Sequence, residues 1–404
     1  MKRKKSRNNT KKNNTKKNNK KTQKIILKNK TPLLIRKVSD KISDNLDSPK
    51  FHKFFIPNLF NKKNNKTSYS PTINKEIVTL KTIPRQKILD CNNKLAFELK
   101  EPLQISVPNT FFGKKCYAYN TQEAQKYLLK NLAANKHIIP SQIVPPIQIQ
   151  ANCWFNAMFV MFFVSDKGRK FFHYFRELMI KGKQKNGQTI QPEKLRNAFA
   201  LLNFGIESCL IGNKYAYELN TNSIIHQIYD AIPIEYRSKY SYIVDVKKAS
   251  NPLMYYMSIV NYLNNNSILI LLVTNSNNNW REQVLQMISQ TKLPHIIAFE
   301  IFENNNGNSF LNKPVSFKIR DGNYSLDSAV IRDNTGQHFC STITCEHKEM
   351  GYDGMSFHRI VPLKWKDKLN SNFTWNFEGS NNNDDKPLEW NFTKGYQLLM
   401  YYRV

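Results

Sequence analysis

Gln148-Ile149-Gln150-Ala151-Asn152-Cys153-Trp154-Phe155-Asn156, continuing through Ala157-Met158-Phe159-Val160-Met161-Phe162-Phe163-Val164, is the stretch on which the fold turns. A polar approach gives way at Asn152 to twelve residues, Cys153 to Val164, that are apolar except for Asn156. That run is too short to span a bilayer, which takes about 20 residues. It predicts a helix buried in protein. Asn152 is a good N-cap, so Cys153 falls in the first helical turn. Unpaired N–H groups and the positive end of the dipole favour a thiolate there. A backbone N–H at that turn also donates to an oxyanion. A cysteine in such a helix is ordinarily a small packed residue. Two glutamines upstream, Gln148 and Gln150, shift the reading toward a nucleophile.

Further along, Tyr324-Ser325-Leu326-Asp327-Ser328-Ala329-Val330-Ile331-Arg332 leads into Gly336-Gln337-His338-Phe339-Cys340. Next come Ser341-Thr342-Ile343-Thr344-Cys345, a polar turn, and Met350-Gly351-Tyr352-Asp353-Gly354. His338 begins one predicted strand and Asp353 ends the next. In a tight hairpin those two positions are neighbours. A carboxylate there sets the imidazole tautomer and leaves the other ring nitrogen for a thiol. Either residue alone reads as an ordinary surface histidine or turn aspartate. His338, Cys340, Cys345 and His347 also lie within ten residues, but strand alternation points the first two away from the last two. No CxxC pair accompanies them, so no metal is expected.

Around these segments the chain is divided by composition. Its 404 residues carry 61 Lys+Arg against 30 Asp+Glu, a formal net charge of +31. Residues 1–100 hold 28 basic and 6 acidic residues, whereas 101–404 hold 33 and 24. The excess charge therefore belongs to the tail. Residues 1–30, with 14 Lys/Arg among Asn, Thr and Ser, bury too little apolar surface to order themselves. This arm reads equally as a contact for nucleic acid or an acidic membrane surface and as a solubilising tail. Residues 31–100 read as a linker, and 101–404 as one folded body with 40% hydrophobic content over the whole chain to supply its core. A wholly disordered or collagen-like chain is excluded.

Within the body, three- and four-residue apolar spacing predicts helices over 121–132, 153–164, 168–180, 192–209 and 223–231. Strands are predicted over 268–273, 294–300, 315–319, 324–332, 337–345, 348–353 and 396–402, with a helix over 279–289. Helices first and strands last give an α+β class. Six scattered cysteines are too few for a disulfide scaffold and suggest a reducing setting. The basic N-terminus lacks an apolar h-region, so no secretion and no membrane span are expected.

Together the two chemical segments resemble the papain-like ubiquitin-specific peptidases. Asn152-Cys153-Trp154-Phe155-Asn156 matches most of that family's cysteine box. Gly336-Gln337-His338-Phe339 resembles its histidine box, with Tyr324 to Ile331 as the preceding strand. Leu293 to Phe299 and Gly395 to Tyr402 are similar to its core and terminal strands. The run from His338 through Cys345 to Gly354 also resembles divergent cysteine peptidases of large DNA viruses. The resemblance covers about residues 141–404. The family's Gly-Asn-Thr before the cysteine and its zinc-ribbon cysteines are absent. It implies a papain-like α+β fold, a helical half followed by an antiparallel sheet. It also implies a thiol hydrolase cleaving isopeptide or peptide bonds at the C-terminus of ubiquitin or a ubiquitin-like modifier, with no cofactor. Cys153 is then the nucleophile, His338 the base and Asp353 its orienting partner. Gln148 supplies the oxyanion side chain by spacing, with Gln150 the alternative. Ubiquitin-type conjugates are the implied partners, in the host cytoplasm or a virion. Three rival readings are a protease for virion proteins, an inactive peptidase-fold binding protein, and a nucleic-acid-associated protein acting through residues 1–30.

Overall fold

The computed structural model describes residues 91–92, 94–109, 113–134, 138–265, 267–274, 279–288, 292–302 and 312–404. The basic arm and residues 31–90 of the predicted linker lie outside the described residues. The described chain begins with helix α1 (Lys94–Phe97), hairpin β1 (Gln104–Asn109) and β2 (Gly113–Ala118), and helix α2 (Gln122–Ala134). The hairpin was not predicted. Its β2 strand, Gly-Lys-Lys-Cys-Tyr-Ala, is exposed over its first half and carries no apolar alternation there.

Helix α3 (Cys153–Phe163) has all eleven residues buried. A helix apolar on every side must be enclosed by other elements. The helical side is built from α4 (Asp166–Phe171), α5 (His173–Lys181), α6 (Glu193–Ile211), α7 (Tyr215–Glu218), α8 (Thr221–Ala231), α9 (Ile234–Lys239) and α10 (Pro252–Tyr262), of which α4, α8 and α10 lie directly against α3. Aromatic rings fill the joints: Phe162 stacks on Phe172 at 3.9 Å, and Trp154 meets Tyr255 edge-on at 4.7 Å. The helix expected over 168–180 is two. Ser165 caps the first by accepting from Gly168 N at 3.1 Å, and the chain turns at Phe172 before the second begins.

The other side of α3 is the sheet. After β3 (Ile270–Thr274) come α11 (Trp280–Ile288), β4 (Ile296–Ile301), β5 (Ser316–Ile319), β6 (Gly322–Arg332), β7 (Phe339–Cys345), β8 (Lys348–Tyr352) and β9 (Ile360–Pro362). Short strands β10 (Thr374–Trp375) and β11 (Trp390–Asn391) pair with each other, and β12 (Gln397–Arg403) returns to the centre. The order is β3-β4-β12-β6-β7-β8-β9, with β5 beside β6. The expected antiparallel sheet is mixed, because β3 runs parallel to β4. The reason is the helix between them: a parallel pair needs a crossover, and α11 supplies it.

Both faces of the sheet are covered. Along β4 and β12, Ile296, Ala298, Leu398, Met400 and Tyr402 join the helical core, while Ile297, Phe299, Leu399 and Tyr401 join a second core. That alternation is the two-residue period of a strand. The second core is rich in tryptophan, with Trp365, Trp375 and Trp390 over the far face. The architecture is thus mixed α+β, with most helices on one face of a central sheet and an aromatic layer, joined by α11 through Trp280, Val284 and Ile288, on the other.

The cysteines depart from expectation at one place. Cys91 and Cys116 form a disulfide, with Cα atoms 5.8 Å apart. Asn92 brings the segment into range: its amide donates to Gln104 O at 2.8 Å and its Oδ1 accepts from Gln104 N at 2.7 Å. Phe97 then packs against Phe204 and Tyr215. The chain from Cys91 is therefore tied to the body.

Candidate active site

Cys153 opens α3, and β7 crosses beneath it. Ser341 on β7 donates to Ala157 O of the helix at 3.0 Å, tying the two elements one turn beyond the thiol. His338 lies one residue before β7 and Asp353 one residue after β8. The β7–β8 register pairs Ser341 with Tyr352, so the flanking residues meet at the open end of the hairpin. His338 Nε2 lies 2.6 Å from Asp353 Oδ1, and both groups are buried.

Local structure holds each partner. Asp333 Oδ1 accepts from the backbone N–H of Gln337 and of His338, at 2.7 and 2.5 Å. Its own N–H donates to His338 O at 2.8 Å. Gly336 completes this turn at φ +73°, a backbone region that glycine enters without steric cost. Asp353 Oδ1 also accepts from Met355 N at 3.1 Å. Trp390 meets the His338 ring edge-on at 5.8 Å and covers it.

Burial disfavours a charged His338, but the Asp353 carboxylate and then the Cys153 thiol outweigh it, and the imidazole is pushed up to about 10. With Nε2 given to Asp353, Nδ1 is the nitrogen left for the thiol, and it has no hydrogen bond of its own. Contacts of this kind commonly tighten only when substrate binds. The arrangement suits a thiolate–imidazolium pair with a carboxylate behind it.

Gln148 stands on the segment leading into α3. Its N–H donates to Gly354 O at 2.9 Å, which brings it beside the Asp353 turn. Only glycine fits there: a Cβ at position 354 would lie 2.9 Å from Tyr352 Oη and 3.0 Å from Gln148 N. The Gln148 side-chain amide donates one hydrogen to Gln150 O at 3.2 Å. Among the described residues its second N–H makes no hydrogen bond, and its Oε1 is buried without a partner. Gln150 itself is exposed, at φ +62°.

Asn152 stands at the predicted N-cap position, but contrary to expectation its side chain does not cap the helix. Its Oδ1 accepts from Ile149 N at 3.0 Å and its Nδ2 donates to Thr221 Oγ1 at 2.8 Å, so both ends are occupied. Sequence reading missed the residues that complete this wall. Tyr352 Oη donates to Pro146 O at 2.7 Å, Arg359 Nη1 to Pro145 O at 2.6 Å, and Asn222 Nδ2 to Ile149 O at 2.9 Å. Nothing in their local sequence signals a role, because each acts across the fold. Cys340 and Cys345 are buried in different cores on opposite faces of β7. Among the described residues, no cluster of three or more His, Cys, Asp or Glu has metal-holding geometry. Among them too, no helix is long and apolar enough to cross a membrane.

No family model and no curated protein matches the chain. Among the solved structures similar to it, two illustrate the likeness, both at low scores. One is an essential yeast splicing factor, at TM-score 0.36 and 9% identity, covering 75% of this chain and 73% of that one. The other is the yeast SAGA deubiquitinase module, at TM-score 0.30 and 9% identity, covering 65% and 69%.

Proposed function

We propose that the chain is a cysteine hydrolase acting on peptide or isopeptide bonds. The observation that carries this reading is the buried His338–Asp353 contact of 2.6 Å, with Cys153 at a helix N-terminus acting on the same ring. The Cys153 thiolate attacks the substrate carbonyl carbon, and the C=O electron pair moves onto oxygen. The Cys153 N–H and the second Gln148 amide N–H stabilise that oxyanion. As the C–N bond breaks, imidazolium gives its proton to the departing amine and a thioester remains. Water then attacks the thioester while His338 takes its proton, and the acid product leaves with the thiolate restored. Asp353 keeps the ring oriented throughout.

The substrate is the C-terminus of ubiquitin or a ubiquitin-like modifier. Support for this comes from the cysteine and histidine boxes, Asn152–Asn156 and Gly336–Phe339. The test is an electrophilic ubiquitin C-terminal probe offered to the full chain. The expected result is one adduct on Cys153, absent from Cys153→Ala. Labelling by short peptide electrophiles but not by the ubiquitin probe would move the substrate to a protein-processing target. Labelling by neither would overturn the hydrolase.

A further inference from the structure

We propose that Thr221, from a helix distant in sequence, is a positioning residue for the oxyanion side of the site. This rests on the hydrolase reading above and concerns how Gln148 is held.

Thr221 opens α8 and is fully buried. Its hydroxyl accepts from Asn152 Nδ2 at 2.8 Å and donates to Asn156 Oδ1 at 2.8 Å. Asn156 Nδ2 goes on to Ile147 O at 3.1 Å, and Asn152 Oδ1 accepts from Ile149 N at 3.0 Å. The four bonds form one relay whose ends grip Ile147 O and Ile149 N. Those are the backbone groups on either side of Gln148. The relay brackets the residue that donates to the oxyanion, and the single hydroxyl in its middle closes it.

Its polarity admits one arrangement. A backbone N–H only donates, so Ile149 N requires Asn152 Oδ1, which turns Nδ2 toward Thr221. A carbonyl only accepts, so Ile147 O requires Asn156 Nδ2, which turns Oδ1 toward Thr221. The group between them must accept on one side and donate on the other. A hydroxyl does both. A methyl in its place does neither and strands two buried amide groups, each of which then seeks another partner. Asn222, next in sequence, adds a grip on Ile149 O at 2.9 Å. The start of α8 thus holds the Gln148 segment against the first turn of α3 without touching a reacting atom.

The experiment is a double-mutant cycle between Thr221 and Gln148 on the full chain, using turnover of a ubiquitin-type fluorogenic substrate. Thr221→Val is expected to lower kcat about 10- to 100-fold, the scale of a misplaced donor, with KM nearly unchanged. Thr221→Ser keeps the hydroxyl and should stay close to wild type. In a Gln148→Ala background, Thr221→Val should lower kcat no further, because the group it positions is gone. Iodoacetamide alkylation of Cys153 needs no oxyanion donor and should proceed at the wild-type rate in Thr221→Val. Equal losses in both backgrounds, or slowed alkylation, would assign Thr221 to general packing and overturn the proposal. If Thr221→Val does not fold, the cycle is read with Thr221→Ala, whose smaller side chain leaves room for water. If only short peptide electrophiles label the wild type, the cycle is read with a peptide substrate; a wild type inert to these, to the ubiquitin-type substrate and to the ubiquitin probe overturns the hydrolase reading and the relay's role with it. An active wild type with an unaffected Thr221→Val overturns the relay alone.

Discussion

Cys153 and His338 are held by different means. The segment before Cys153 is gripped by side chains remote in sequence. Thr221 lies 69 residues from Asn152, Tyr352 lies 206 from Pro146, and Arg359 lies 214 from Pro145. His338 is held by neighbours, with Asp333 five residues before it and Asp353 fifteen after it across one hairpin. A hairpin carries its own register, so the histidine side can be formed by a single β-turn-β unit. A helix N-terminus has no such internal ruler for the chain that precedes it. Tertiary contacts must set it, and here they converge on residues 145–149.

The sharpest way to break this comparison is at the thiol. Cys153→Ala and Cys153→Ser should each lower kcat/KM by about 10⁴-fold or more, since the nucleophile has no substitute. A hydroxyl near its ordinary pKa is far weaker than a thiolate beside the same imidazole. Cys340→Ala and Cys345→Ala, on opposite faces of β7, should cost about 1–2 kcal/mol of stability and leave turnover nearly unchanged. Turnover and urea unfolding of the four variants check this. Full activity in Cys153→Ala would remove the assignment.

Next in size are the hairpin variants. His338→Ala should lower kcat by about 10³-fold and Asp353→Ala by about 10²-fold, because a base matters more than the group that orients it. If Asp353→Ala were the more damaging, the carboxylate would be holding up the loop and not only the ring. Melting curves of both variants separate those outcomes.

A smaller effect sharpens the electrostatic side. The folded His338 is raised from an ordinary 6.5 to about 10. A raised imidazole stabilises the fold fully below the unfolded value, and the contribution is lost as pH rises through the folded value. The stability gap between wild type and His338→Gln should therefore be largest below about pH 6.5 and shrink steadily to pH 10. Urea midpoints across that range measure it. A gap that widens with pH would mean the ring is neutral in the fold.

The smallest expected effect on turnover is at the other end of the helical side. Cys91→Ala/Cys116→Ala opens a loop spanning 25 residues and should cost about 3 kcal/mol of unfolding free energy. Turnover should stay at the wild-type level, because the bridge ties α1 to the β1–β2 hairpin and not to the Gln148 segment. Lost activity in a folded variant would extend the cysteine's support to the hairpin.

Most elements of the body were legible in the chain. The apolar run at Cys153 is helical over residues 153–163, and the predicted strand over 324–332 is β6. Such segments announce themselves because they are long, largely apolar and buried. The β1–β2 hairpin did not, since half of β2 faces solvent. The Cys91–Cys116 bridge was also illegible, because cysteine count and spacing say nothing of which backbones approach each other.

The candidate site divides along the same line. The amino-acid sequence by itself determined that a thiol would open a buried helix, and that an imidazole would stand at the start of one strand and a carboxylate at the end of the next. Helix and strand periods are local properties of the chain, so these placements needed no knowledge of the rest. Only the tertiary structure decided that Asn152 would bridge to Thr221 instead of capping its helix, and that Gly354 would press against Gln148. It also decided that β3 would lie parallel to β4. Those outcomes depend on which groups remain unpaired once the core has closed. A buried polar atom takes whatever partner the packing delivers.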